Sequence, residues 1–243
     1  MAYLSQPVEL PKMTETASRI FVDAWDLYQK VVAADCMFHR EIGAELKRLL
    51  RDRFDRRPFS ILDLGCGDAA TLVPLLEGLL VERYKGVDLA EPALMLATNN
   101  LKSLPCPASL THEDILAALA EDTTYDVIYS SFALHHLPTH QKAEFFRLAA
   151  QRVKADGLVL LVDVVREEDE TLPLYHQRYC DWLRGTWNVL DGSEKDLICD
   201  HIVTNDLPEP YSVLQSLARA AGLRDRDGSA RFGWHRLVCF TCA

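Results

Sequence analysis

The chain has 243 residues, 49% hydrophobic and 26% charged, a length suited to one sizeable α/β domain rather than two. Its 36 acidic against 26 basic residues give a formal net charge of −10, which works against the phosphate neutralisation that dominates nucleic-acid affinity. No apolar run approaches the roughly 20 residues of a membrane helix, and "MAYLSQPVELPK" lacks an export or transit pattern, so a cytoplasmic protein without membrane or nucleic-acid partners is expected.

Ile20, Ala24, Leu27, Val31 and Ala34 fall at helical spacing over 16–34, and Ile42, Leu46 and Leu49 repeat it over 40–51. These runs predict an N-terminal helical cap over 1–57. The basic residues Lys47, Arg48, Arg51, Arg53, Arg56 and Arg57 read as a solvated helix end. From residue 58 strand-like and helical runs alternate: "FSILDLG" then "ATLVPLLEGLLVE", "YKGVDL" then "PALMLATNNLK", "ASLTHED" then "ILAALAED", "YDVIYSSF" then "HQKAEFFRLAAQRV", and finally "GLVLLVDVV". Five strands separated by four helices of 8 to 15 residues predict parallel crossovers with helices on both faces.

Residues 166–210 break that alternation and carry Tyr175, His176, Tyr179, Trp182 and Trp187. The segment is too long for a simple connection, so a helical insert is expected, either as a substrate lid or as a helix packed on the sheet edge. A helix, "YSVLQSLARAAG", and two strand-like runs, "LRDRDG" and "WHRLVCFTC", close the chain. Residues 227–233 between those runs suit a hairpin and make the last strand antiparallel. The fold class expected is α/β: a doubly wound, mostly parallel seven-stranded sheet with a C-terminal antiparallel hairpin, the core spanning 58–243 as one structural domain. Seven cysteines without a framework spacing fit a reducing compartment. The C-x-x-C pair Cys239 and Cys242 points to opposite faces of a strand, and no metal site is expected.

The stretch "ILDLGCGDAA" at 61–70 satisfies a G-x-G-x-x-A dinucleotide fingerprint through Gly65, Gly67 and Ala70. Asp63 and Asp68 would repel a pyrophosphate there and favour a cofactor bearing an ammonium group. With Asp63 included, "LDLGCGDA" resembles motif I of the class I S-adenosylmethionine-dependent methyltransferases, a Rossmann-like family, and the similarity extends over about 58–165 and the terminal hairpin. The resemblance implies that Asp63 faces the amino group of S-adenosylmethionine while Gly65, Cys66 and Gly67 form a tight wall. Ala69 stands where the family often has a third glycine. Asp88, 21 residues past Gly67 and followed by Leu89, is spaced to accept ribose hydroxyls, although NAD proteins place an acid there too. By resemblance Asp114 and Ile115 meet the adenine, and "YDVIYSSFALHHLP", with Ser131, passes under the transferred methyl. Each of the three acids could instead cap a helix.

Methyl transfer from a sulfonium needs alignment and, for some acceptors, removal of a proton. His135 and His136, beyond the fourth strand, are the candidate catalytic residues. Arg40 could pair with the cofactor carboxylate, and Tyr28, His39, Tyr175, His176 and Tyr179 could line the acceptor pocket. The expected reaction is methyl transfer to oxygen or nitrogen of a small molecule, with S-adenosylhomocysteine as product. The alternative is an NAD(P)-dependent oxidoreductase or a non-catalytic cofactor-binding protein. "SSFA" after the fourth strand replaces the Asn- or Asp-Pro-Pro-Tyr segment of amide- and nucleobase-modifying relatives, against that acceptor class.

Overall fold

The computed structural model describes residues 25–226 and 228–243. Ile20 and Ala24 of the first expected helix lie outside the described residues. The chain begins there with α1 (Trp25–Ala33) and α2 (His39–Phe54). A parallel set follows: β1 (Phe59–Leu64), α3 (Val73–Leu76), β2 (Val81–Asp88), α4 (Glu91–Asn100), β3 (Ala108–His112), α5 (Ile115–Ala120), β4 (Tyr125–Ser131), α6 (Thr139–Arg152) and β5 (Val153–Val164). After β5 come α7 (Leu172–Thr186), α8 (Gly192–Asn205) and α9 (Tyr211–Ala220), then β6 (Leu223–Asp225), β7 (Ala230–Phe232) and β8 (His235–Cys242).

The strands form one sheet in the order β3-β2-β1-β4-β5-β8-β6, with β8 antiparallel to β5 and β6. Because β1 is buried along its whole length, its alternation divides between two cores rather than between core and water. Phe59 and Ile61 join α2 and α3 on one face, while Leu62 and Leu64 join α5 and α6 on the other. Cys239 and Cys242 likewise pack into opposite faces. The strand order reverses between β1 and β4, where an open α/β sheet leaves a crevice at the carboxyl ends of its strands.

A third core joins the cap to the insert. Val31 and Met37 pack with Tyr175, Tyr179, Leu183, Trp187, Cys199 and Ile202, and a Lys30–Glu194 ion pair ties α1 to α8. A reciprocal capping box between Asp191 and Glu194 starts α8. Insert and cap therefore close over the same end of the sheet.

Three details differ from the sequence expectation. The helix after β1 is one turn, Val73–Leu76, ended before Gly78 at φ +79°, and Val81 and Glu82 belong to β2. The helix after β3 is also shorter than expected, six residues. The sheet has eight strands because β7 occupies the connection before β8, turning tightly at Gly233, φ +59°. β6 and β7 thus pair successively along one edge of β8.

Candidate functional site

A cavity of about 160 Å³ opens at the carboxyl ends of β1, β2 and β4. The glycine turn after β1 is held by Gly65 and Cys66 N–H groups donating to the Val87 carbonyl at 2.9 and 3.0 Å. Gly65 has φ +75° and a Cβ there would lie 2.6 Å from the Ala133 Cβ; at Gly67, φ +52°, it would lie 2.9 Å from the Trp25 ring. Glycine is thus required twice, by dihedral and by space. Ala69 also adopts positive φ, +58°, at the position where the resembling family often has glycine.

Asp63 is 2% exposed at the cavity and accepts a 2.6 Å hydrogen bond from the Tyr84 hydroxyl. Burial pushes its carboxyl up to about 7, despite that bond, and the nearby Asp88 adds to the shift. A buried carboxyl in this state gains from a cationic ligand. Asp88 accepts from the Gly67 N–H at 2.7 Å and the Ala90 N–H at 2.8 Å, locking the glycine turn to the start of α4. Asp114 caps α5, its Oδ1 accepting from Leu116 and Ala117 at 2.8 and 3.3 Å. The helix-cap reading of this acid is therefore correct geometrically, and Asp114 still lines the cavity. Trp25 and Tyr28 of α1 cover the opposite side.

A second cavity, about 380 Å³, lies between α1, α7 and α8. Its walls are largely apolar, including Val31, Met37, Phe132, Trp187, Ile198 and Ile202, and its polar lining includes His135, His136, His201 and Asp206. Those four cluster tightly. Asp206 Oδ1 lies 3.6 Å from His135 Nε2, 3.4 Å from His136 Nδ1 and 3.9 Å from His201 Nε2. His135 Nδ1 donates to Asp163 Oδ1 at 2.5 Å, and the same carboxylate accepts the His135 and Val164 N–H groups. Burial opposes charge on His135, yet Asp163 and Asp206 outweigh it and raise its pKa. Burial likewise opposes ionisation of Asp206, but the surrounding imidazoles hold its carboxyl below the usual range. Burial pulls His201 down to about 4. His135, His136 and Asp206 offer ligand atoms all within 4.8 Å of one another, a spacing that could hold a metal ion. Tyr28, Phe132 and His136 line both cavities, so the two meet beside this cluster.

Residues 61–157 match the family model described as "Methyltransferase domain". This stretch is similar to a methyltransferase domain. That similarity agrees with the strand order and with the cavity at the reversal between β1 and β4. Phosphoethanolamine N-methyltransferase 3 of Arabidopsis thaliana is 28% identical over 132 residues, 54% of this chain and 26% of that protein. The chain therefore spans about a quarter of the length of that curated relative. An S-adenosylmethionine-dependent methyltransferase from Clostridium acetobutylicum superposes with a TM-score of 0.62 at 13% identity, covering 92% of this chain and 99% of the other. The magnesium protoporphyrin IX methyltransferase of Synechocystis, solved with S-adenosylhomocysteine, gives 0.58 at 15% identity over 85% and 83%. These two likenesses concern the fold.

The Synechocystis neighbour has been solved with S-adenosylhomocysteine and with S-adenosylmethionine. The glycine cradle, the buried Asp63 beside it and the acids Asp88 and Asp114 fit a cofactor with an ammonium, a ribose and an adenine. Asp63, Gly65, Cys66, Gly67, Asp88, Leu89, Asp114, Ile115 and Ser131 all line the first cavity, as does Tyr28, expected at the acceptor. Tyr179 and His135 line the second, and His136 both.

Four expected residues lie away from both cavities. Arg40 has a side chain 76% exposed and paired with Asp35 at 3.4 Å, because α2 turns its start toward solvent. His39 packs against the Phe132 ring at 5.5 Å. Tyr175 is fully buried in the third core, and His176 donates through Nε2 to the Asp206 carbonyl at 2.9 Å. The sequence reading missed Trp25, Phe132, Asp163, His201 and Asp206. Trp25 stacks near Tyr28 one helical turn on, an aromatic pair legible at i, i+3 spacing. Asp163 was legible as an acid inside the apolar run "LLVDVV"; Asp206 had no local signal.

Proposed function

We propose that the protein transfers the methyl group of S-adenosylmethionine to the oxygen or nitrogen of a small molecule with an apolar body. The observation that carries this reading is the junction of the two cavities at His136, beside the imidazole–carboxylate cluster. When bound, the cofactor supplies a methyl on a sulfonium leaving group, so the protein must align the partners and manage a proton. Asp63 holds the ammonium, the glycine turn closes on the methionine portion, Asp88 takes the ribose hydroxyls, and Asp114 with Ile115 bounds the adenine. Trp25 and Tyr28 exclude water from the opposite side. The acceptor's apolar body fills the space between α1, α7 and α8, placing its heteroatom at the cluster of His135, His136, His201 and Asp206, where the proton is held or removed.

No lysine or arginine lines the second cavity among the described residues, and the buried carboxylate of Asp206 stands at its polar end. A phosphorylated acceptor, as the name of the plant relative implies for that protein, finds no lysine or arginine there. A screen with S-adenosylmethionine labelled in its methyl group tests the reading. Label is expected to move to hydroxylated or amino-bearing aromatic and apolar acceptors in preference to phosphoethanolamine. Transfer to phosphoethanolamine alone would contradict the acceptor class, and binding of NAD(P) instead would contradict the reaction.

A further inference from the structure

We propose that His135, His136 and Asp206 bind one divalent transition-metal ion at the inner end of the second cavity. The three side chains are spaced as a ligand set. Tetrahedral coordination with bonds of about 2.0–2.1 Å places ligand atoms about 3.3 Å apart. Asp206 Oδ1 lies 3.6 Å from His135 Nε2 and 3.4 Å from His136 Nδ1, and all three atoms fall within 4.8 Å. These separations are close to the edges of a coordination tetrahedron.

The surroundings are those of a built site. His135 and Asp206 are 7% and 6% exposed. His135 donates Nδ1–H to Asp163, the carboxylate–imidazole arrangement that fixes a ligating histidine's tautomer and turns its Nε2 lone pair to the metal. That Nε2 faces the buried Asp206 Oδ1, which His136 Nδ1 approaches from another side at 3.4 Å. Either a proton on Nε2 or a metal ion between the two atoms removes the repulsion of lone pair and carboxylate oxygen, and a metal ion takes both imidazoles at once. The backbone is held as well: Asp206 N–H closes α8 on Ile202, its carbonyl accepts from His176, and Leu207 N–H donates to the His135 carbonyl at 2.9 Å. The nearest fixed cation, Lys142, is engaged by the Leu207 carbonyl and lies 4.0 Å from Glu209, which also pairs with Arg166.

Two imidazoles and one carboxylate are a donor set for Zn²⁺ or a similar first-row dication, with three protein ligands and a position left open. His201 Nε2, 3.9 Å from the same Oδ1, borders that position on the acceptor side. The ion would hold an acceptor oxygen where the proposed reaction needs it, so hydroxyl-bearing acceptors would be favoured over amines. Only this last step rests on the proposed function; the ion site itself does not.

Co²⁺ is the probe, titrated into chelator-treated protein and followed by visible absorption and calorimetry. One equivalent is expected to bind, giving d–d bands of a low-symmetry nitrogen–oxygen site without the near-ultraviolet thiolate band that binding to cysteine would produce. Asp206→Ala is expected to weaken binding more than about tenfold, and Asp163→Asn by about 10–100-fold because His135 loses the carboxylate that orients its ring. Both variants are expected to keep S-adenosylhomocysteine binding, which shows that they fold. Failure of the wild-type protein to take up one equivalent, or uptake insensitive to Asp206→Ala, would overturn the proposal. Loss of S-adenosylhomocysteine binding in a wild-type protein that still takes up Co²⁺ would instead overturn the function proposed above.

Discussion

Asp63 links the cofactor site to stability at the level of a single proton. Its carboxyl, raised from 3.8 to about 7 by burial, keeps its proton in the fold at pH values where the unfolded chain has lost it. The native state therefore binds more protons between those values, and stability falls as pH rises through that window. Asp63→Asn keeps an acceptor for the Tyr84 hydroxyl and cannot ionise. Thermal melts are expected to show the variant more stable than the wild type at pH 8, with the difference vanishing near pH 4. The same change is expected to weaken S-adenosylhomocysteine binding by about 10–100-fold, the size of a charge-assisted hydrogen bond. At Gly65 a methyl meets Ala133 at 2.6 Å in a left-handed backbone. Gly65→Ala should cost about 1–3 kcal/mol in denaturant melts, and adding Ala133→Gly should recover only part, since it restores space but not the dihedral. The acid and glycines of motif I were legible because their spacing is local. Asp206 was not, because it meets His135 and His136 only through the packing of α8, some 70 residues later in the chain.

At the scale of elements, the alternation of apolar strands and amphipathic helices made the five parallel strands legible. Helix lengths were less so: "ATLVPLLEGLLVE" reads as a continuous helix, yet Gly78 at φ +79° stops it after one turn and its end is strand β2. The insert was legible as helical and aromatic, but not which aromatics face the cavity. Tyr175 and Tyr179 are one helical turn apart and both belong to the third core, but only the second also lines the second cavity. A substitution on α8 separates the two cavities experimentally. Ile198 lines only the second, so Ile198→Trp is expected to raise the acceptor KM while leaving S-adenosylhomocysteine affinity within about twofold, with a stability cost of about 1–3 kcal/mol from overpacking. Equal losses for both ligands would mean that the cavities do not act separately.

For the whole molecule, the sheet places its strand-order reversal under a cap formed jointly by α1, α7 and α8, and the acidic clusters lie at that end. A nicotinamide dinucleotide would bring its pyrophosphate to a turn flanked by Asp63, Asp68 and Asp88, whereas S-adenosylmethionine brings an ammonium and a sulfonium. A ligand that binds only the native state stabilises it by RT ln(1 + L/Kd), with L the free ligand concentration, about 2.7 kcal/mol at 100 times its Kd, and so raises the melting temperature. Thermal melting of the wild-type chain with S-adenosylhomocysteine, NAD(H) and NADP(H) in parallel is the decisive measurement. A dose-dependent rise with S-adenosylhomocysteine and none with either dinucleotide is expected; a rise with a dinucleotide and none with S-adenosylhomocysteine would contradict the cofactor site built here from Asp63, Gly65, Gly67, Asp88 and Asp114.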